Sequence, residues 1–159
     1  MKIIIEGCDG VGKTTLAQRL ADMFNLQYSH DSCPRTFKEY QVEMLNGIPR
    51  VYDRFFFGQF AGYQTSKERI LTFEELKELL NLAKEKGIII LLCYDKVENI
   101  LKRFKYNAED KIWMEKTGYA SPEEFIQHIQ EGFLKIAELG GDYINYICME
   151  DVIKYDNKN

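Results

Sequence analysis

The sequence predicts an α/β fold in which a central parallel sheet of about five strands lies between two layers of helices. Short apolar segments typical of strands alternate along the chain with longer segments whose apolar residues recur at helical spacing. The 159 residues suit a single domain, and neither an internal repeat nor a low-complexity linker divides them. We therefore expect one three-layer domain over residues 1–159.

The first half of the chain begins with a β-branched run and an amphipathic segment. The run Lys2–Glu6 predicts a strand, and the residues after Gly12 predict a helix because five apolar residues share one face. Those residues are Leu16, Ala17, Leu20, Met23 and Phe24. The next segments predict a strand, a helix closed by Gly47, another strand and a short aromatic stretch, over 26–30, 35–46, 49–54 and 55–64.

Capping signals mark two helices in the second half of the chain. Thr72 and Glu75 form a capping-box pattern, and Ser121 followed by Pro122 combines an N-cap with a proline at the first helical position. Each signal is followed by an apolar stripe at helical spacing. The stripes are Phe73, Leu76, Leu79, Leu80 and Ala83 in the first helix, and Phe125, Ile129, Phe133 and Ile136 in the second.

The remaining segments complete the alternation of strands and helices. The run from Ile88 to Tyr94 is apolar throughout, as expected for a parallel strand covered on both faces. Asp95 is expected to cap the helix that follows it, and residues 142–148 predict the last strand. The polar tail over 154–159 is expected to fray.

Charge and cysteine content argue against several classes of protein. The net charge of −4 and the pI of about 5.3 disfavour binding to nucleic acid. No apolar run approaches the roughly 18 residues that span a bilayer, so no membrane partner is expected. The four cysteines are far apart and the histidines number two, which argues against a metal site built from these residues. We read the cysteines as reduced thiols of a cytoplasmic protein.

The strongest functional signal is a glycine-rich loop between the first predicted strand and helix. Residues 7–14 read GCDGVGKT and match the phosphate-loop pattern G-x-x-x-x-G-K-[ST] in full, which chance produces in about one of two hundred such chains. Glycines let successive backbone N–H groups turn toward phosphate oxygens, and the following helix presents its positive end to the same anion. Lys13 is expected to reach the β- and γ-phosphates of ATP, with Mg²⁺ as cofactor on the Thr14 hydroxyl.

Three segments together resemble the thymidylate kinase family. Residues 6–15 extend the phosphate loop to EGCDGVGKTT, residues 51–55 and 61–64 hold an Asp-Arg-aromatic motif followed by Ala-Gly-Tyr-Gln, and residues 91–95 form a strand ending in Asp. The resemblance implies a single P-loop NTPase domain of the nucleoside and nucleotide kinase type, with a short lid around 102–118. It implies phosphoryl transfer from ATP to a deoxynucleoside monophosphate, dTMP or a related pyrimidine nucleotide, and it implies a homodimer.

The resemblance assigns residues to the phosphate side of the site. The ATP-phosphate-binding residues are Gly7, Asp9, Gly10, Val11, Gly12, Lys13, Thr14 and Thr15. Asp53 is implied to lie near Mg²⁺ together with Thr14, and Arg54 to clamp phosphates during transfer. One family branch carries an arginine at the place of Gly10, so here the lid is expected to supply the catalytic cation. The candidates are Lys102, Arg103, Lys105 and Lys111, with Arg103 as the first choice.

The resemblance also assigns residues to the acceptor. Asp9 is implied to hold the sugar hydroxyl of the acceptor, and Arg54, Tyr63 and Gln64 to line its pocket. Two residues after the second strand have alternative interpretations. Arg35 and Phe37 either bind the acceptor phosphate and stack on its base, or form a helix-face cation and a core aromatic residue.

This chain departs from the family pattern in the regions that shape the acceptor site. Gly62 is an extra residue in the Ala-Tyr-Gln motif, and no Arg-Glu-Pro stretch follows the second strand. The segment over 31–47 and the predicted lid are both short. A compact variant of this kind would suit a viral enzyme.

Two other functions fit the same motifs. The first is a kinase for a hydroxyl group, on a deoxynucleoside or on a modified base in DNA, with Asp53 as the general base. The second is a P-loop nucleotide-binding module that transfers no phosphoryl group. The paired Asp53-Arg54 motif argues against a simple binding module.

Overall fold

The computed structural model describes residues 1–31, 33–63, 68–104 and 108–157. They form a five-stranded sheet in the order β2-β3-β1-β4-β5, in which all neighbouring strands are parallel. The strands are β1 (Lys2–Glu6), β2 (Gln27–His30), β3 (Arg50–Asp53), β4 (Ile89–Tyr94) and β5 (Asn145–Cys148). The predicted parallel sheet of about five strands is confirmed.

Seven helices connect or follow these strands in the described part of the chain. They are α1 (Lys13–Phe24), α2 (Phe37–Leu45), α3 (Phe73–Glu85), α4 (Val97–Arg103), α5 (Ala108–Thr117), α6 (Pro122–Glu138) and α7 (Met149–Asp156). Short 3₁₀ turns occur at Phe57–Gln59 and Gly141–Tyr143. Among the described residues no helix has the length and apolar character that crossing a bilayer requires.

The strand order places helices on both faces of the sheet. The connection through α1 runs in one direction across the sheet, from β1 past β3 to β2, whereas the later connections run in the other direction. Right-handed crossovers therefore put α1 on one face and the helices between the later strands on the opposite face. Helix α7 lies beside α1, since Arg19 forms an ion pair with Asp156. The predicted three-layer arrangement is confirmed.

Strand β1 forms the centre of the core. Ile3, Ile4 and Ile5 are at most 2% exposed, because β3 and β4 flank this strand and helices cover both faces. In the parallel register Ile5 lies opposite Asp53 of β3, and Glu6 lies opposite Leu92 of β4. The loops that leave the carboxyl ends of these strands therefore meet at one edge of the sheet, where open α/β sheets bind their ligands.

The predicted helix starts are confirmed at α3 and α6. The Thr72 hydroxyl accepts a hydrogen bond from the Glu75 N–H at 3.1 Å, and the Ser121 hydroxyl accepts one from the Glu124 N–H at 3.1 Å. Helix α2 begins with the same kind of cap. Thr36 is its N-cap, and Thr36 and Glu39 form a capping box that was not predicted from the sequence. Short-range patterns of this kind depend on residues three apart and need no tertiary context.

Several predicted details are wrong. Asp95 is not the N-cap of α4; Lys96 holds that position, and Asp95 precedes it. Phe73 is 47% exposed; it is the first residue of α3, and its ring packs edge-on against that of Phe60. The last strand begins at Asn145 because a 3₁₀ turn occupies the residues before it. The tail is helical to Asp156, where the pairing with Arg19 ties it to the domain.

Candidate active site

The phosphate loop connects β1 to α1 through a backbone that requires glycine. Gly7, Gly10 and Gly12 have φ values of 142°, 77° and 107°. A side chain at Gly7 would also place its Cβ 2.5 Å from the carbonyl oxygen of Cys93 in β4. Glycine at this position therefore allows the loop to start against the neighbouring strand, before it curls around the N-terminus of α1.

Lys13 is the first residue of α1 and is 5% exposed. Its Nζ donates a hydrogen bond to the carbonyl oxygen of Cys8 at 2.7 Å and lies 3.8 Å from Oδ1 of Asp9. The ammonium group is thus held over the loop by the loop's own acceptors. This arrangement presents the lysine cation to the same space as the loop amides and the positive end of α1.

Asp53 is fully buried at the end of β3, where its carboxylate receives three hydrogen bonds. Oδ2 accepts from the Thr14 hydroxyl at 2.6 Å, from the Tyr28 hydroxyl at 3.0 Å and from Nδ1 of His30 at 3.1 Å. Oδ1 is buried and has no hydrogen-bond partner among the described residues. A buried carboxylate with one free oxygen beside a hydroxyl is a donor set that suits a hard divalent cation.

Thr14 and Asp53 fit Mg²⁺. Mg²⁺ prefers oxygen ligands, and it usually takes one or two from the protein and the rest from phosphates and water. The predicted pair of Thr14 and Asp53 is brought together as such a site requires. Among the described residues no group of three or more histidine, cysteine, aspartate or glutamate side chains could hold a metal by itself.

Tyr28 and His30 are site residues that the sequence reading missed. They alternate along β2, so they share one face, and the parallel register places His30 opposite Asp53. Burial and the hydrogen bond to Asp53 raise the pKa of Tyr28, so this hydroxyl stays protonated and donates to the carboxylate. The available signal was the alternation of polar aromatic residues at the end of a strand, but its meaning depends on which strand lies next to it.

Arg54 leaves β3 in a left-handed backbone conformation, with φ of 71°. Its N–H still donates to the carbonyl oxygen of Ile5 at 2.9 Å, which holds the turn against β1. The guanidinium forms an ion pair with the carboxylate of Asp9 in the phosphate loop. The turn therefore directs this cation back over the loop rather than along the sheet.

Glu6 supports the segment that follows Arg54. Its carboxylate is fully buried at the end of β1, and Oε1 accepts hydrogen bonds from the N–H groups of Phe55 and Phe57, both at 3.0 Å. Burial, the largest effect, raises the pKa of Glu6 to about 7. The sequence motif alone indicates no separate role for Glu6, although an acid at the end of an apolar strand is unusual enough to mark it.

Arg103 reaches the opposite side of the phosphate loop from the end of α4. Its Nε donates to the carbonyl oxygen of Gly10 at 2.9 Å, and its Nη2 donates to Oδ2 of Asp95 at 2.6 Å. Among the candidate lid cations that the structure describes, Arg103 is the one that lines the cavity at the phosphate loop. Lys105 lies outside the described residues, and Lys102 and Lys111 are exposed.

Most of the predicted phosphate and transfer residues line one cavity of about 280 Å³. Its walls are Asp9, Gly10, Gly12, Lys13, Thr14, Thr15, Arg54 and Arg103. Three cations thus face one carboxylate, which makes the cavity complementary to a polyanion such as a nucleotide phosphate chain. Gly7 and Val11 of the loop are buried, and Asp53 contacts the loop through its hydrogen bond from the Thr14 hydroxyl.

The predicted acceptor residues are only partly brought to this cavity. The Tyr63 hydroxyl accepts a hydrogen bond from the Asp9 N–H at 3.0 Å, so this residue reaches the loop. Arg35 instead pairs with Asp31 at 3.2 Å and with Glu43 at 3.9 Å. Phe37 is half-buried against the core. Gln64 lies outside the described residues, and the predicted contacts of Arg35 and Phe37 with an acceptor stay predictions.

Comparison with known proteins shows shared folds at low sequence identity. The YorR protein from Bacillus subtilis, in complex with phosphorylated GDP, matches with a TM-score of 0.72 and 17% identity, over 99% of this chain and 96% of that chain. Deoxyadenosine kinase from M. mycoides matches at 13% identity. Its structure with products dCMP and a flexible dCDP gives a TM-score of 0.54 over 99% of both chains, and its structure with dATP gives 0.53 over 100% of both.

No protein-family model and no curated protein matches the chain. At identities below 20% the structural matches show the fold alone. Together with the parallel sheet, the strand order and the phosphate loop between β1 and α1, they confirm the predicted α/β P-loop fold.

Proposed function

We propose that this protein is a kinase that transfers the γ-phosphoryl group of ATP to a deoxynucleoside monophosphate, dTMP or a related pyrimidine nucleotide. The observation that carries the proposal is the placement of Arg54 and Arg103. Arg54 follows the end of β3 and Arg103 ends α4, and both face the same cavity as Lys13. Phosphoryl transfer requires little covalent assistance from the protein, so charge neutralisation and alignment of the two phosphates supply most of the catalysis.

The donor phosphates would occupy the cavity at the phosphate loop. The loop amides and the N-terminus of α1 would bind the β-phosphate, and Lys13 would exchange its contact with the Cys8 carbonyl for phosphate oxygens. Thr14 and Asp53 would hold Mg²⁺, whose charge neutralises and orients the phosphate chain when it is bound. Arg103 would contact the phosphates from the side of α4.

The acceptor would approach from the side of β3, past Arg54. A phosphate monoester has a second pKa of about 6 and is largely dianionic at neutral pH, so it attacks without a general base. An acceptor oxygen forms a bond to the γ-phosphorus, the bond to the bridging oxygen breaks, and ADP leaves with both electrons of that bond. Arg54 would release Asp9 and neutralise the phosphates, which frees the Asp9 carboxylate for a sugar hydroxyl.

The remaining acceptor contacts follow from the resemblance to the thymidylate kinase family. Tyr63 already reaches the loop and would line the pocket together with Gln64. Arg35 and Phe37 would join it only after Arg35 releases Asp31. Residues 102–118 would close over the phosphates as a lid and exclude water, which otherwise competes with the acceptor. The comparisons support this proposal insofar as the matching structures carry bound nucleotides.

A second function is favoured by one specific observation. The Asp53 carboxylate is buried and bonded to His30, and a hydroxyl acceptor, unlike a phosphate, needs a group that accepts its proton. A deoxynucleoside kinase would use Asp53 in that role, and one of the matching proteins is a deoxyadenosine kinase. This alternative predicts transfer to a sugar hydroxyl and no transfer to a monophosphate.

An acceptor panel distinguishes the two functions. Purified protein is incubated with Mg·ATP and each of the common deoxynucleosides and deoxynucleoside monophosphates, and the products are identified by mass. Formation of a diphosphate from dTMP or another pyrimidine monophosphate supports the proposal, whereas monophosphates formed only from nucleosides support the alternative. Tight ATP binding without any phosphorylated product would contradict both and favour a nucleotide-binding module.

A further inference from the structure

We propose that Asp95 is a positioning residue that fixes Arg103 over the phosphate loop. The inference deepens the proposed function, on which it rests, by assigning a role to a residue outside the cavity. Asp95 does not line the cavity and is not expected to touch a nucleotide. It acts through Arg103, whose guanidinium it holds from outside the cavity.

The Asp95 carboxylate is buried and uses both oxygens. Oδ2 accepts from Nη2 of Arg103 at 2.6 Å, and Oδ1 accepts from the Lys96 N–H at 2.8 Å and from Nδ2 of Asn99 at 2.9 Å. The residue is 4% exposed. A charge-assisted bond to a carboxylate that is itself fixed by two other donors has little freedom, so it can set the orientation of a long arginine side chain.

The backbone of Asp95 is fixed as well. Its N–H donates to Oε1 of Gln130 at 3.1 Å, and its carbonyl oxygen accepts from Nε2 of the same side chain at 2.8 Å. Gln130 lies in α6, which packs against α4 and β4. One amide side chain thus satisfies both backbone groups at the end of β4. The junction that carries Asp95 is therefore anchored to a long helix of the domain rather than left as a free loop.

Arg103 connects this anchor to the phosphate loop. Its Nε donates to the Gly10 carbonyl oxygen at 2.9 Å, and a Cβ on Gly10 would lie 3.3 Å from Cα of Phe104, which follows Arg103. The end of α4 therefore packs directly on the loop. The two bonds occupy two of the five N–H donors of the guanidinium, and the side chain keeps 30% exposure. The other donors are available for phosphate oxygens.

The carboxylate stays ionised at neutral pH. Burial raises the pKa of Asp95, but the hydrogen bonds from Asn99, Arg103 and Lys96 outweigh it, and the pKa lies below its usual value. An ion pair on one side of the guanidinium restricts the Arg103 side chain to fewer rotamers than an unpaired arginine adopts. Removing that charge should leave Arg103 present but poorly oriented, and misplacement by about an ångström is costly in a transfer reaction.

The test is a double-mutant cycle between Asp95→Asn and Arg103→Ala. Asparagine keeps the shape and one acceptor oxygen of Asp95, so it removes the charge with the least disturbance to Lys96 and Asn99. The matched control is Asp156→Asn, which removes a carboxylate from an exposed ion pair with Arg19, on the surface formed by α1 and α7. Steady-state kinetics with the best acceptor of the panel give kcat and KM for each variant, and thermal unfolding checks that each variant is folded.

The inference predicts a specific pattern. Asp95→Asn lowers kcat at least tenfold with a change in acceptor KM below threefold, Arg103→Ala lowers kcat by more, and the double variant equals Arg103→Ala. Asp156→Asn stays within twofold of the wild type. If Asp95→Asn lowers kcat by the same factor with and without Arg103, the residue acts by another route and the inference is overturned. An unchanged kcat in Asp95→Asn overturns it as well.

A binding measurement keeps this inference separate from the proposed function. Titration of Mg·ATP by calorimetry needs no acceptor, so it reports on Arg103 even if the panel shows no transfer. The expected result is weaker ATP binding in Arg103→Ala, a smaller loss in Asp95→Asn and no further loss when the two are combined. If Asp95→Asn does not fold, Asp95→Glu replaces it in the same cycle. Loss of ATP affinity in Asp95→Asn without any effect of Arg103→Ala would refute the positioning role.

Discussion

The Thr14 hydroxyl donates a hydrogen bond to the buried carboxylate of Asp53 at 2.6 Å, across 39 positions of sequence. This bond joins the end of the phosphate loop to the end of β3. It pairs the two oxygen donors expected to bind Mg²⁺ and leaves Oδ1 of Asp53 without a described partner. The strand order places β1 and β3 side by side, so the contact follows directly from the topology of the sheet.

We expect Asp53→Asn to lower kcat by about a hundredfold and to raise the Mg²⁺ concentration needed for half-maximal rate. The substitution removes the charge that attracts the cation while it keeps the size of the side chain. Tyr28→Phe removes only one donor to the same carboxylate and is expected to cost about tenfold. Rates measured over a Mg²⁺ titration check both values. An Asp53→Asn enzyme with an unchanged Mg²⁺ requirement would exclude Asp53 as a ligand.

We expect Lys13→Ala and Arg54→Ala each to lower phosphoryl transfer by about a thousandfold, with the fold retained. Both cations line the cavity, and neither contributes to the apolar core. Circular dichroism and thermal unfolding establish that the variants are folded, and product formation is followed with the best acceptor. Lys38→Ala, an exposed lysine of α2, is the matched control and should stay within twofold of the wild type. Turnover retained in either cavity variant would refute the assigned role.

We expect Gly132→Ala to destabilise the protein. A Cβ at this position of α6 would lie 2.2 Å from the carbonyl oxygen of Ala61, a backbone atom that cannot turn away. Alanine favours a helix over glycine by about 1 kcal/mol, but overpacking against backbone costs up to about 3 kcal/mol, so the clash decides the sign. Urea denaturation should show a free energy of unfolding lower by about 2 kcal/mol.

Gly47→Ala is the control for that measurement, because a Cβ there meets no atom within 4 Å. Its free energy of unfolding should change by less than about 0.5 kcal/mol. Equal stability of the Gly132→Ala variant and the wild type would mean that α6 does not pack against the segment before Tyr63 as described. A loss of activity along with stability would connect this contact to the acceptor side of the site.

We expect the free energy of unfolding to fall as the pH rises from about 5 to 8, relative to a Glu6→Gln variant. Burial raises the pKa of Glu6 from 4.5 to about 7, so in this interval the folded state binds a proton that the unfolded state has lost. Stability therefore decreases with pH, by roughly 3 kcal/mol in all. Glutamine keeps an acceptor for the N–H groups of Phe55 and Phe57 and removes this dependence.

Urea denaturation of both proteins at several pH values checks that prediction. The quantity of interest is the difference between the two proteins, since other ionisable groups contribute equally to both curves. If the free energies of unfolding of the two proteins change in parallel from pH 5 to 8, Glu6 is not protonated preferentially in the folded state. Curves that diverge in the opposite direction would indicate a carboxylate stabilised by Lys13 and Arg54 rather than destabilised by burial.

Local signals in the sequence determined much of the fold and the phosphate half of the site. The alternation of strands and helices, the caps at Thr72 and Ser121 and the glycine-rich loop each depend on residues within about eight positions of one another. Backbone periodicity and capping act over that range, so they can be read without knowing the strand order. The placement of Lys13, Thr14 and Arg54 in one cavity is in line with that reading.

Only the tertiary structure decided which polar groups meet. The bonds of Glu6 to Phe57, of His30 to Asp53 and of Arg103 to Gly10 join residues 51, 23 and 93 positions apart. Each depends on the order and register of the strands, which the hydrophobic pattern of a single strand does not specify. Asp95 is predicted as a helix cap from its place before α4 alone. Its carboxylate in fact accepts from Lys96, Asn99 and Arg103, because buried charge is stable only where several donors converge on it.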